Sequence, residues 1–335
     1  MTQPSHQGKV PAFKRWKIDM DRTTYLQQDD IRDFATWLVT NLPTMPIHLK
    51  FSKSKNYVPS GLDKIVTGIQ GAQACYQWAG DWETVSAKIK GFREALRLSA
   101  LASDEAATYK ACRDILKWGG VDNASSISFL DARKSKKDLT AYLLRVEPLL
   151  ALDTSNRLSD ITEEKVLAYN SGLTKIHALF DTTGSPIYDG RVGAAIAALY
   201  HLYRETLTEP TPPIADYKRF AMDAGQGCQI RDPRLLGIGF AGTPMLNRQR
   251  PAEWAQRQVQ LGWIMRDVLD KSPNLFSHVS EMHQRCHCFE AGLFMMGYDL
   301  RALVPGGWQI PEPRQLAAKR ESMRKSAAKR RARQK

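Results

Sequence analysis

The segment best suited to chemistry covers residues 169–204. Its pattern predicts a helix that ends near Phe180, a turn at residues 182–184 and a short extended stretch at residues 186–188. An amphipathic helix follows, with Val192, Ile196 and Leu199 on one side. Asp189 stands where that helix begins, so its carboxylate is the first candidate for a functional group.

A carboxylate at a helix N-terminus has two interpretations. In the simpler one, Asp189 only caps the helix by accepting hydrogen bonds from backbone N–H groups of the first turn. In the other, the positive end of the helix lowers the pKa of Asp189 and keeps the side chain ionised. An ionised carboxylate is a poor proton donor at neutral pH, but it is well suited to face a developing cation. The two roles are compatible.

Residues 186–192, Pro-Ile-Tyr-Asp-Gly-Arg-Val, resemble the segment around the essential aspartate of helix-hairpin-helix DNA glycosylases. The branch of that superfamily that acts on adenine mismatches has a similar Pro-Ile-x-Asp-Gly-x-Val run. The resemblance implies an all-α fold of two lobes with a DNA cleft between them. It also implies that Asp189 lies against the sugar of an extruded nucleotide.

The chain departs from this family pattern in three places. The family has a Gly-x-Gly hairpin before its aspartate, whereas residues 167–172 read Leu-Ala-Tyr-Asn-Ser-Gly. Members with lyase activity carry a nucleophilic lysine near the position of Ser171, and Lys175 lies one helical turn further on. The four-cysteine iron–sulfur pattern of some members is missing, so no cofactor is expected. The resemblance therefore implies a monofunctional enzyme that uses water, unless Lys175 has become the nucleophile.

Cleavage of an N-glycosidic bond builds positive charge on the deoxyribose, and a preorganised carboxylate stabilises that charge. The base must also leave the stack and be received by aromatic or apolar groups. Each aromatic candidate could instead belong to the core, and each cation could pair with a structural acid. The candidates are Asp189 for catalysis; Lys175, Arg191, Ser171, Thr174 and Asn170 for DNA contacts; and Tyr188, Trp118 and Tyr57 for the base pocket or wedge.

The charge of the chain predicts a polyanionic partner. The 335 residues carry a net charge of +13. Residues 319–335 contain nine Lys or Arg and one Glu, which leaves the rest of the chain basic as well. Neutralising phosphates releases condensed counterions, so we expect DNA as the partner, without an obligatory protein partner. A solvated charge run without a ligand is the alternative for this tail.

No apolar run reaches the length of a membrane span, and residues 1–10 lack the apolar core of a signal peptide. The five cysteines are odd in number and scattered, which argues against a disulfide framework. We therefore expect a cytoplasmic protein without a membrane partner.

Helical periodicity dominates, and residues 47–51 are the best candidate for a strand. Asp30 is predicted to cap a helix that carries Ile31, Phe34 and Leu38. We expect an all-α domain over residues 1–315, with a linker near residues 209–213, and a disordered basic tail over residues 316–335.

Two further patterns are weaker. His283, Cys286, His287 and Cys288 are potential metal ligands, but one continuous helix does not bring all four together, so no metal is assigned. Gly237, Gly239 and Gly242 match a dinucleotide fingerprint without the strand and helix that it requires.

The sequence predicts a monofunctional DNA glycosylase that excises a damaged or modified base, either in repair or in defence against phage DNA. The alternative is a basic helical DNA-binding protein without catalysis, in which Asp189 is only a cap. A metal-dependent nuclease that uses the His/Cys cluster is a second alternative.

Overall fold

A computed structural model describes residues 20–53, 58, 60–153, 155–207, 219–222, 229–238 and 244–310, together with residues 318, 321, 322, 325 and 326. Tyr57 and the expected linker at residues 209–213 lie outside the described residues. The described chain is mostly helical, with eleven α-helices and one β-hairpin. The helices are α1 (Arg22–Leu26), α2 (Asp29–Asn41), α3 (Gly68–Ala74), α4 (Trp82–Leu101), α5 (Glu105–Trp118), α6 (Ala124–Lys136), α7 (Leu139–Leu150), α8 (Leu173–Phe180), α9 (Gly190–Glu205), α10 (Pro251–Lys271) and α11 (Met282–Met296).

The hairpin corrects the all-α expectation in detail. Strand β1 (Pro46–Phe51) pairs antiparallel with β2 (Leu62–Thr67), with Pro46 opposite Thr67. In β1, Ile47, Leu49 and Phe51 are buried and alternate with more exposed residues, as a strand with one face on a core requires. The strand predicted at residues 47–51 is therefore confirmed, and its partner was not predicted.

The predicted capping role of Asp30 is wrong. Helix α2 already begins at Asp29, after Gln28, so Asp30 lies inside the first turn. Its carboxylate accepts hydrogen bonds from the Arg219 guanidinium and from the Tyr200 hydroxyl of α9. These contacts hold the start of α2 against α9. Local sequence patterns do not reveal them because the partners are distant along the chain.

Helices α4, α5 and α7 surround α8, and every residue of α8 is buried. Both α4 and α5 begin with an aspartate that accepts a hydrogen bond from a first-turn N–H, Asp81 and Asp104 respectively. Helix α8 is short and mostly apolar, so its position comes from packing rather than from intrinsic helix stability. This environment holds the one lysine of α8, Lys175, away from bulk water.

Helices α9 and α11 pack closely because small residues line their contact. A Cβ on Gly297, at the end of α11, would overlap the carbonyl oxygen of Arg191. A Cβ on Gly193 would lie 2.6 Å from the carbonyl oxygen of Ala221. Gly297 therefore lets the first turn of α9, and with it Asp189, lie against the end of α11, and Gly193 lets α9 approach the segment at Ala221.

In the basic tail, residues 318, 321, 322, 325 and 326 are helical, and Lys325 pairs with Glu321 at 2.8 Å. The disorder expected for the tail as a whole stays a prediction. None of the described helices combines the length and apolar character that crossing a bilayer requires.

Candidate active site

Asp189 is the N-cap of α9, as the sequence predicts. Its backbone is extended, with φ −92°. One carboxylate oxygen, Oδ1, accepts hydrogen bonds from the backbone N–H groups of Arg191 at 2.9 Å and Val192 at 3.2 Å. The cap thus occupies only one of the two oxygens, and Oδ2 remains for another partner.

That partner is Lys175 of α8. Its Nζ lies 3.2 Å from Asp189 Oδ2 and also donates to the carbonyl oxygen of Ser171 at 3.0 Å. Asp189 and Lys175 are each only 5% exposed. Gly119, just after α5, leaves room for the lysine, because a Cβ there would lie 2.6 Å from Lys175 Cδ. A buried ion pair therefore joins the start of α9 to α8.

The electrostatics of the pair favour an ionised aspartate. Burial raises the pKa of Asp189, but the charges of Lys175 and Arg191 and the backbone N–H groups of Arg191 and Val192 outweigh it. The net effect lowers the pKa below its ordinary value of 3.8. At neutral pH the carboxylate is charged, in a place with little water to screen it.

Asp189 and Lys175 line a cavity of about 220 Å³. Its walls come from the ends of α4, α5 and α9, from α8 and α11, and from the loop between α3 and α4. The aromatic side chains in the wall are Tyr76, Trp78, Trp82, Trp118 and Phe294.

Arg191 follows Asp189 at the edge of the cavity and is half-buried. Its guanidinium carbon lies 4.6 Å from the ring centre of Trp78, 4.7 Å from that of Phe294 and 5.0 Å from that of Tyr298. A cation at this distance from aromatic faces gains cation–π attraction. To contact DNA, as the sequence predicts, Arg191 would have to give up its cation–π contacts with these three rings.

A second carboxylate, Glu290 of α11, also lines the cavity. Its Oε2 accepts a hydrogen bond from the backbone N–H of Ile187 at 3.0 Å and lies 3.3 Å from His287 Nδ1. Arg93 contacts the other ring nitrogen of His287, Nε2, and a guanidinium can only donate. The His287 proton therefore resides on Nδ1, from which it is donated to Glu290.

Sequence reasoning missed Glu290 and four of the five aromatic residues of the wall. A signal for the aromatics was present, because Tyr76, Trp78 and Trp82 stand within seven residues. Glu290 lies between Phe289 and Ala291 in the part of α11 that is buried, residues 286–296, where an acidic side chain is unusual. Neither signal by itself locates a cavity.

Of the other predicted site residues, Ser171 and Trp118 line the cavity. Tyr188 does not, and its predicted place in the pocket or wedge is wrong. Its ring is fully buried and its hydroxyl donates to the carbonyl oxygen of Ala221 at 2.8 Å. The side chain points into the core because successive residues of the extended segment point to opposite sides.

Thr174 and Asn170 are likewise occupied inside the protein, which contradicts their predicted DNA contacts. The Thr174 hydroxyl donates to Gln258 Oε1 at 2.5 Å and accepts the backbone N–H of Tyr188 at 2.9 Å. Asn170 Oδ1 accepts the backbone N–H groups of Gly172 and Leu173. These contacts shape the start of α8, so both residues position Lys175 rather than face a ligand.

The His/Cys cluster of α11 is divided among different surroundings. Cys286 is buried against Gly184, and His287 is engaged by Glu290 and Arg93. Within the described ranges, no three His, Cys, Asp or Glu side chains come together in a way that could hold a metal ion. The cluster therefore serves packing and the hydrogen bonding of Glu290.

Comparison of the chain with protein-family models, with curated proteins and with solved structures finds no match.

Proposed function

We propose that this protein is a monofunctional DNA glycosylase in which Asp189 stabilises the sugar cation that forms as a base departs. The observation that carries the proposal is the ionised, buried Asp189 carboxylate in the wall of an aromatic-lined cavity. A charge in such a place interacts strongly with a developing cation because little water screens it.

The reaction breaks the bond between C1′ and the base nitrogen, and the electron pair leaves with the base. Positive charge then spreads over C1′ and the ring oxygen of the sugar, where Asp189 stabilises it. A water oxygen bonds to C1′ and releases its proton to solvent or to the carboxylate. The departing base nitrogen takes up a proton from solvent, so the products are the free base and an abasic site.

The aromatic wall supports the idea of an extruded base. Trp78, Trp82, Trp118 and Phe294 offer ring faces and edges on which a planar heterocycle can stack. Glu290 is an acceptor in the same wall, and it can recognise an N–H group of the base. Together they provide apolar area with one polar anchor, as small-molecule pockets usually do.

DNA binding is proposed from exposed basic groups. Lys134, Lys136 and Lys137 are exposed around the C-terminus of α6, and Lys117 is exposed at the end of α5. In the two-lobed arrangement that we propose, α4–α8 form one lobe, and the hairpin with α1–α3 and α9–α11 forms the other. DNA would lie across the mouth of the cavity between them, and the basic tail would add non-specific contacts.

A second candidate is a glycosylase that also has lyase activity. The observation in its favour is that Lys175 Nζ lines the cavity beside Asp189. Hydrolysis by water remains our proposal because Nζ is already engaged by Asp189 Oδ2 and the Ser171 carbonyl, and it would have to leave both to attack the sugar.

The experiment is an assay of base release from duplexes that each carry one damaged, deaminated, alkylated or hypermodified base. Abasic sites are then revealed by cleavage with alkali. We expect alkali-labile sites at one class of base and none in unmodified duplex. Release from no duplex, together with retained DNA binding, would reject the glycosylase in favour of a non-catalytic DNA-binding protein.

A further inference from the structure

A second, larger space lies beside the candidate active site. This groove between α4 and α11 has a volume of about 560 Å³ and opens to solvent. Trp82, Ile89 and His287 line both the groove and the aromatic cavity, so the two spaces meet at these side chains. A group attached to a base in the cavity could therefore extend into the groove.

The polar lining of the groove is balanced in charge. Lys90 and Arg93 are cationic, and Glu83 and Glu94 are anionic. Cys288 is neutral because burial raises the pKa of its thiol to about 11. His283 is the remaining titratable side chain that is not shared with the cavity. Burial, with the nearby Arg93 and His287, lowers its pKa from 6.5, so it is neutral at pH 7. The groove thus carries no net charge that would select an anion.

The hydrogen-bonding groups of the groove are mixed as well. Ser86 and Gln284 can each donate and accept, the two glutamates only accept, and Lys90 only donates. Arg93 adds a buried Nε–H that has no hydrogen-bond acceptor among the described residues. Ligands that both donate and accept at many positions fit such a lining best, and hydroxyl groups do so.

We propose that this groove receives a neutral, hydroxyl-rich substituent of the base, so that the substrate is a nucleobase bearing a sugar-like group. The proposal rests on the proposed glycosylase function and names its substrate class. Trp82 contributes an aromatic face at the junction, against which the C–H side of a sugar ring can pack.

Two other occupants fit less well. A DNA phosphate would require an excess of positive charge, and here two acidic residues offset two basic ones. A purely apolar substituent would leave the charged and amide groups of the lining without partners. An experiment can separate the hydroxyl-rich group from a phosphate.

The test compares duplexes that are identical except at one base, which is 5-hydroxymethylcytosine with or without an attached glucose. The groove is filled by Ala87→Trp, since Ala87 is exposed on α4 and lines the groove but not the cavity. Ala95→Trp is the matched control, because Ala95 is exposed on the same helix and lines neither space. Binding is measured for each duplex at several salt concentrations, and base release is measured in parallel.

We expect the wild-type protein to bind the glucosylated duplex at least tenfold more tightly than its unglucosylated partner. Ala87→Trp should remove this preference, and Ala95→Trp should keep it. Equal binding of the two duplexes, or a preference that survives in Ala87→Trp, would overturn the inference. Ala87→Trp could also weaken binding to every duplex and reduce its salt dependence, which would assign the groove to phosphate and overturn the inference too.

The two proposals can fail separately. Faster release of bases without a substituent would support the glycosylase and overturn the substrate class. Groove-dependent binding of the glucosylated duplex without release of any base would support the groove and overturn the glycosylase.

Discussion

Lys175 Nζ lies 3.2 Å from Asp189 Oδ2, and both side chains are almost completely buried. When two charges are buried, the free energy of hydration that they lose exceeds the free energy of their attraction unless the geometry is good. A buried ion pair is therefore weak evidence that the pair stabilises the fold. The pair lines a cavity rather than the core. A functional role explains why the pair lies there, because the carboxylate must then stay charged at a place that a substrate reaches.

Asp189→Asn should abolish base release while DNA binding persists. Asparagine keeps an oxygen that can cap α9, but it has no negative charge to oppose the sugar cation. We expect a loss of at least about a hundredfold in the single-turnover rate of base release, a scale set by the removal of one stabilising group from a preorganised site. The rate is measured with excess protein, and affinity is measured by fluorescence anisotropy.

Asp299→Asn is the matched control for this substitution. Asp299 is also a buried N-cap with a cationic partner, since its carboxylate accepts the backbone N–H of Arg301 and pairs with that guanidinium at 2.6 Å. It does not line the cavity. If both variants lose base release to the same degree, the loss reflects the fold and not the charge of Asp189.

Removing both partners of the buried pair should cost less stability than the two single removals added together. Lys175→Met leaves a buried carboxylate without its lysine, which we expect to lower the free energy of unfolding by about 3 kcal/mol. In the double variant Lys175→Met/Asp189→Asn, the loss should be smaller than the sum of the two single losses, by about 1–3 kcal/mol. Urea unfolding of the four proteins measures this coupling, and additive losses would contradict a direct interaction.

Borohydride should not trap the protein on its substrate. A lyase forms a Schiff base between a lysine and the opened sugar, and reduction makes that bond permanent. Because Lys175 Nζ is engaged by Asp189 and the Ser171 carbonyl, we expect no covalent complex by gel electrophoresis. A complex that is lost in Lys175→Met would instead establish the lyase candidate and leave the glycosylase function intact.

The stability of the protein should fall as the pH decreases from about 6.5 to about 4. Burial lowers the pKa of His177 to about 4, and its ring stacks on Tyr169 at 5.3 Å. Between these pH values the unfolded chain binds a proton that the folded protein does not bind, so acid favours unfolding. The contribution of His177 is at most about 3 kcal/mol.

His177→Phe should therefore flatten the decline of the urea midpoint over this pH range. The exposed His278 provides the control, because His278→Phe removes a histidine that solvent reaches. An unchanged pH profile in His177→Phe would show that this histidine is not kept neutral in the folded protein.

Truncation after Leu316 should weaken binding to all DNA sequences alike. It removes a net charge of +8 between residues 319 and 335. Each phosphate contact contributes about 0.9 to the slope of log affinity against log salt, so the slope should also become shallower. Affinities at several salt concentrations measure both effects. If the truncated protein keeps the affinity and slope of the full chain, the tail is not a DNA contact.

Local patterns were sufficient for the elements that carry the candidate site. The turn and extended segment before Asp189 and the small residues after it predict an N-cap, and the structure confirms that position.

The strand at residues 47–51 could be predicted because alternation is a local property. Its partner β2 could not, because Ile65 is 68% exposed and β2 has little apolar alternation. Asp30 was misassigned for the same reason, since its partners Tyr200 and Arg219 are distant in sequence.

The sequence by itself determined that the chain is mostly helical and basic, and that one carboxylate begins a helix at Asp189. Only the tertiary structure decided that Lys175 of α8 pairs with that carboxylate, and that Glu290 of α11 and aromatic residues from the loop before α4 and from α4, α5 and α11 line the same cavity. Periodicity and capping act within a few residues along the chain, and the sequence can be read for them directly. A cavity depends on which distant side chains fill the space around it and which leave it open, and packing settles that only when all the elements are in place.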